Sequence, residues 1–404
     1  MTASDHNAPS VASHAAAEAA RRAADQEGYD VVVVGGGPCG ATAATDLACD
    51  GKRVALLDRA GRIKPCGGAV PPRLIRDFSI PSRLIVAKIA TARMISPTDR
   101  QVDIAIENGY VGMVDREDFD EFLRERAAGA GAVRHTGAFQ RIERDEAGAT
   151  VVYREKETGE SRRLRTKLII GADGAHSHVG RQEVPGGDAI PYVIAYHEVI
   201  SAPEPAQAAE NRYDPTRCDV IYDGRISPDF YGWVFPHGPK ASVGMGTAAP
   251  GFDLKEATRA LREAAGLTEC ETIRREGAPI PLQPLPRWDN GRDVVLAGDA
   301  AGVVAPSSGE GIYYAMVGGQ CAAEAARACL ATGRAEELKR ARRSFMKEHQ
   351  TVFRVLGAMQ NAYYRDDDRR ERFVSLCRDL DVQRLTFEAY MNKKLVRARP
   401  MAHL

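Results

Sequence analysis

Two glycine-rich elements lie more than 200 residues apart in this 404-residue chain, and together they constrain its fold more than any other feature. The first reads YDVVVVGGGPCGATAATDLACDGKRVALLDR. An apolar run, Val31 to Val34, enters Gly35, Gly37 and Gly40 in G-x-G-x-x-G spacing, then a helix-like stretch, then a second strand ending at Asp58. This is a complete β-α-β pattern. Its glycines allow a tight turn, close approach of a pyrophosphate and packing of the helix on the sheet, while the amides at the helix start face the anion. Asp58, with Arg59 after it, stands about 20 residues past the loop, where an acid grips a ribose hydroxyl. An acid there suits an unphosphorylated ribose, so FAD or NAD fits better than NADP.

The second element, LAGDAAGVVAPSSGEGI from Leu296 to Ile312, decides between them. A strand runs straight into Asp299, then into Gly302, Gly309 and Gly311, and an apolar helix follows from Ile312. An NAD dehydrogenase has no use for this second acid and glycine loop. FAD does, because its ribityl chain and isoalloxazine ring need contacts of their own.

Two further segments extend the pattern: LIIGADGAHSHVGR, with Asp173 and Gly174, and VDREDFDEFL, with Arg116. Taken in chain order, the four motifs resemble the flavoprotein family of aromatic hydroxylases, halogenases and geranylgeranyl reductases. The resemblance runs from Tyr29 to Leu404. KPCGGAVPP, Lys64 to Pro72, and SPDFYGWVFPHG, Ser227 to Gly238, resemble the reductase branch, and the C-terminal FRVLGAMQNAYYRDDDRRERFV resembles its bacteriochlorophyll-directed members in photosynthetic bacteria. Ser308 stands where that branch has threonine, which keeps a hydroxyl. The W-x-W-x-I-P segment of the halogenases is not found.

The resemblance implies an α/β fold: a Rossmann-type, aromatic-hydroxylase-like FAD-binding domain, an inserted antiparallel β-sheet substrate domain and a C-terminal helical region. The expected boundaries are a flexible tail over 1–28, the FAD-binding domain over 29–78, 105–180 and 288–340, the substrate domain over 79–104 and 181–287, and helices over 341–404. It also implies that Gly35, Gly37, Gly40, Asp58, Arg59, Cys66, Gly67, Arg116, Asp173, Asp299, Gly311 and Ile312 bind FAD. NADPH is the implied electron donor.

A length of 404 residues, 44% of them apolar, allows two domains that share a substantial core. The formal net charge of zero lacks the electrostatic footprint of a nucleic-acid binder. No apolar run reaches the ~20 residues needed to cross a bilayer. The tail lacks the leucine-rich stretch of a signal peptide, and the eight cysteines are expected as reduced thiols in the cytoplasm. No His/Cys cluster has zinc spacing, so no metal is expected.

Reducing an isolated alkene is demanding because no carbonyl polarises it. Hydride from a reduced flavin must be matched by a proton delivered to the other carbon in a dry site. Cys66, in the loop that the resemblance places beside the flavin ring, is one candidate donor; its plainer reading is a small apolar residue packed under the ring. Tyr231 is the other. It alternates with Trp233 and Phe235 along a predicted strand, and the three form either a substrate-groove stripe or an aromatic core. His237 reads as a turn or surface residue.

The basic run with Lys393, Lys394, Arg397 and Arg399 reads as a solvated helix face, or as a surface for anionic lipid or a diphosphate headgroup. The leading expectation is an FAD-dependent geranylgeranyl reductase acting on a prenylated pigment or on geranylgeranyl diphosphate. Peripheral contact with the photosynthetic inner membrane and interaction with pigment-synthesis enzymes go with it. The alternatives are a flavin monooxygenase or halogenase, and a non-catalytic pigment-carrying flavoprotein.

Overall fold

The computed structural model describes residues 28–395 apart from 60, 62, 107–108, 147 and 205–211, so residues 1–27 of the expected tail, Arg397 and Arg399 lie outside the described residues. Strand β1 (Tyr29–Val34) occupies the middle of a mostly parallel sheet, with Val31 to Val34 at most 2% exposed. It runs between β2 (Val54–Asp58) and β10 (Ser161–Gly171); β8 (Val133–Asp145) lies outside β2, and β16 (Val294–Leu296) lies outside β10. Strands covered on both faces must be apolar along their whole length, which explains the runs VVVV, VALL, LII and VVL. β9 (Gly148–Glu155) joins antiparallel to the far ends of β8 and β10.

Helix α1 (Pro38–Cys49) follows the glycine turn and packs on α6 (Ile312–Thr332). The approach is close because both helices are rich in alanine and glycine: a Cβ on Gly319 would stand 2.3 Å from the Cys39 carbonyl oxygen. Helix α3 (Arg116–Gly129) packs on α1 as well. A small sheet of β3 (Ala69–Val70), β7 (Val111–Met113) and β4 (Ala87–Ile89), with α2 (Pro72–Asp77), carries the segment after Cys66.

The second large sheet has the order β15 (Thr272–Pro281), β11 (Tyr192–Ser201), β14 (Lys240–Thr247), β13 (Gly232–His237), β12 (Arg217–Ile221), β5 (Thr91–Ile95) and β6 (Gln101–Ala105). All its joints are antiparallel except β5–β12. That parallel joint needs a long crossover between its strands, and the segment from 96 to 216, which builds much of the first sheet, is that crossover. Helix α4 (His178–Glu183) follows β10, and α5 (Leu254–Ala264) backs the second sheet. The C-terminal region is helical: α7 (Arg340–Tyr363), α8 (Asp367–Leu376) and α9 (Leu380–Met391).

Candidate active site

The glycine turn has one open position between two crowded ones. Gly35 has φ +110°, and a Cβ there would meet the Ala172 carbonyl oxygen at 2.2 Å; at Gly40 it would meet the Gly35 oxygen at 1.8 Å. At Gly37 it would meet nothing within 4 Å, and Gly37 is the N-cap of α1 with no side-chain cap. Unpaired amides beside open space suit a phosphate group. Asp58 is fixed by the Gly36 amide at 2.8 Å and lies 3.8 Å from Arg124, while Arg59 is exposed. Asp173 accepts from Ser177 Oγ at 2.5 Å, His178 N at 2.7 Å and Val179 N at 3.1 Å, so its carboxylate ties β10 to the start of α4.

Past the turn lies a cavity of about 110 Å³ walled by Lys64, Cys66, Gly67, Arg116, His197, Trp233, Asp299, Gly311 and Ile312. Its charged groups are matched. Lys64 pairs with Asp299, and Arg116 grips Asp120 through two hydrogen bonds of 2.8 and 2.7 Å. Burial opposes the charge on Arg116, but the Asp120 carboxylate and the nearby Cys66 sulfur outweigh it and keep the guanidinium protonated. These groups fit FAD: a glycine turn for its pyrophosphate, Asp58 and Asp299 for its hydroxyls, and the uncapped start of α6 at Gly311.

A second cavity, about 240 Å³, continues from the first past Cys66, Gly67, Trp233, Gly311 and Ile312, which border both. Its wall is almost wholly carbon. β5 and β6 give Met94 and Ile104, β12 gives Val220, and the predicted stripe Tyr231, Trp233 and Phe235 all face in. The Cys66 loop rests on that stripe: a Cβ on Gly67 would be 3.2 Å from the Phe235 ring, and Gly68, with φ +71°, would carry one 2.4 Å from His237. The Cys66 sulfur accepts from the Gly68 amide at 3.3 Å. The Tyr231 hydroxyl donates to the Ser308 carbonyl at 2.5 Å, and burial raises its pKa far above the ordinary phenol value.

His237 is not a surface residue. Nearly buried at the end of β13, it donates from Nε2 to the Gly67 carbonyl at 3.0 Å, with Nδ1 3.3 Å from Asp115. Bonding from His237, helped by the charge of Lys240, outweighs burial and holds the Asp115 carboxyl at about 2. A histidine beside a Pro and a Gly resembles a turn residue in sequence; strand pairing with Lys240 is what turns it inward.

The basic C-terminal run is also corrected at one position. Lys393 does not face solvent: its ammonium is 2.5 Å from Glu310, donates to the Tyr390 carbonyl at 2.6 Å and lies 5.0 and 5.5 Å from the Tyr314 and Tyr313 ring centroids. Only Lys394 of the described pair is exposed. The same segment supplies pocket residues that the spacing of the sequence did not reveal. Thr386, Tyr390 and Met391 of α9 close one side of the apolar cavity, and Tyr390 bonds Ser307 Oγ at 2.6 Å. Ser307 has φ +63°, and its amide donates to Gln360 of α7 while its carbonyl accepts from Tyr364.

A family model for an FAD binding domain matches residues 28–190. A geranylgeranyl diphosphate reductase of Rhodobacter capsulatus is 66% identical over 376 residues, 93% of this chain and 95% of that protein. One from Synechocystis is 37% identical, covering 93% of this chain and 95% of its own length. Among solved structures, a geranylgeranyl bacteriochlorophyll reductase-like protein from Thermoplasma acidophilum superposes with a TM-score of 0.77 at 22% identity, over 91% of this chain and 97% of that one. The chain therefore belongs to the geranylgeranyl diphosphate reductase family of FAD-dependent oxidoreductases.

Proposed function

We propose that this protein reduces geranylgeranyl chains to phytyl, on bacteriochlorophyll and as the free diphosphate, with NADPH as electron donor and peripheral contact with the photosynthetic membrane. The observation that carries the reading is the carbon-walled cavity that opens directly off the charged one at Cys66 and Trp233. An isoprenoid chain threaded there is desolvated along its length, and the alkene at the junction meets both a thiol and the flavin site.

Bound and reduced, FAD supplies the hydride. The chain's own residues supply the rest. The apolar walls exclude water and hold the alkene, and Cys66 at the junction provides the proton. Tyr231 is the weaker donor, because its hydroxyl proton is committed to Ser308 and burial opposes its release. Arg116, beside Cys66, is placed to pair with the sulfur once the proton has left. Of the basic run, Lys394 is the exposed cation among the described residues, so that run offers the membrane contact a single charge there.

The test is anaerobic incubation of the reduced holoenzyme with geranylgeranylated pigment or with the diphosphate, followed by mass analysis of the prenyl product. Successive gains of two hydrogens support the proposal. A strict need for oxygen, or tight pigment binding without turnover, overturns it.

A further inference from the structure

One rung of the second sheet runs in direct register through Glu276 on β15, His197 on β11, Gly244 on β14 and Trp233 on β13. Glycine is required at its centre, since a Cβ on Gly244 would stand 2.3 Å from the His197 Cβ and 2.7 Å from the Trp233 ring. The two rings lean together across the gap, centroids 6.2 Å apart, and meet at one hydroxyl. Ser242 Oγ accepts from Trp233 Nε1 at 3.0 Å and lies 2.9 Å from His197 Nδ1. On the other side His197 Nε2 is 3.1 Å from Glu276, an ion-pair contact rather than an in-line hydrogen bond.

This arrangement serves both forms of the imidazole. When charged, it donates from Nδ1 to Ser242 and presents Nε2–H to Glu276; when neutral, it accepts at Nδ1 from the same hydroxyl, which only has to rotate. Glu276 also pairs with Arg274, so the trio Arg274, Glu276 and protonated His197 carries one net positive charge, with the imidazole as its member in the cavity wall. The other cations of that wall are balanced, Lys64 by Asp299 and Arg116 by Asp120.

We propose that His197, held by Glu276 and Ser242, is the protonatable residue whose charge favours the reduced over the oxidised flavin in this cavity. Two electrons and one proton leave the ring system one unit more negative than before, and a nearby imidazolium stabilises that charge. The inference rests on bound FAD alone, not on which alkene is reduced, so its test uses no prenyl substrate.

The two-electron midpoint potential of the bound FAD is measured against pH for the wild-type holoenzyme, His197→Gln and Glu276→Gln, with oxidised-FAD affinity measured in parallel. The groups facing His197 that also titrate or carry charge are Glu276, Arg274, Lys64, Cys66, Arg116 and Asp299, and all remain in His197→Gln. Expected at low pH is about a tenfold loss of reduced-state preference in His197→Gln, a fall of about 30 mV, with oxidised-FAD affinity nearly unchanged. The wild-type potential should converge on that of the variant as pH rises and the imidazole loses its proton. In Glu276→Gln the convergence should come at lower pH. Coincident potentials in wild type and both variants, or a constant offset at every pH, overturn the proposal.

Discussion

The two halves of the active site are built on opposite principles although they share a wall. The flavin-side cavity is charged: Lys64 is matched by Asp299 from a distant segment, Arg116 by Asp120 one turn along α3, and His197 shares Glu276 with Arg274. Next door the lining is mostly carbon, and polar groups in it are turned on the protein itself, as Tyr231 is on Ser308, Tyr390 on Ser307 and Glu310 on Lys393. The difference teaches how one site can hold an ionic cofactor beside a hydrocarbon. Buried charges need partners to avoid a large desolvation cost, whereas an alkene is best held where no polar group competes for it.

The contrast is broken most severely at Lys393, a buried cation that pairs with Glu310 at the edge of the apolar chamber. Lys393→Met leaves Glu310 without its cation and with only the Tyr313 amide at 2.8 Å to hold it, a change that costs about 3–5 kcal/mol when a buried pair loses one partner. Undocking of α9 limits the global loss but opens the chamber. Thermal melting and prenyl turnover should both fall while the yellow colour persists; a variant unchanged in both would show that the latch is dispensable.

At the shared wall, Cys66→Ser should keep its flavin absorbance and slow alkene reduction about a hundredfold, the scale of a lost general acid. Unaltered turnover would shift the role to another group. The smallest effect belongs to the charged side. Because the Asp115 carboxyl is depressed to about 2 from 3.8, its contribution is complete above pH 4 and is lost as pH falls towards 2. Asp115→Asn should cost on the order of 1 kcal/mol at neutral pH, after allowance for solvent screening, and only a small part of that near pH 2. Chemical denaturation at the two pH values measures that difference, and equal losses at both would assign it to packing.

Much of this was legible in sequence wherever the signal is local. Gly35, Gly37 and Gly40 sit between an apolar strand and a helix, so their spacing alone describes the turn. Tyr231, Trp233 and Phe235 alternate, and alternation on a strand means a common face. The residues that escaped reading are those whose meaning depends on register or on distant chain. His197 gains a role only because Gly244 faces it across β14, and nothing near either residue announces the pairing. Lys393 lies in a basic run that looks solvated, and only the docking of α9 against the Glu310 loop buries it. His237 is turned inward by a hairpin partner, not by its neighbours in sequence.

Ser307 holds a left-handed conformation that an L-residue adopts at a cost of about 1–2 kcal/mol, and its three hydrogen bonds run to Gln360, Tyr364 and Tyr390. All three emerge from the ribosome after the loop they brace. The loop between Asp299 and α6 is therefore finished late: until those three side chains exist, Ser307 lacks the bonds that hold its conformation.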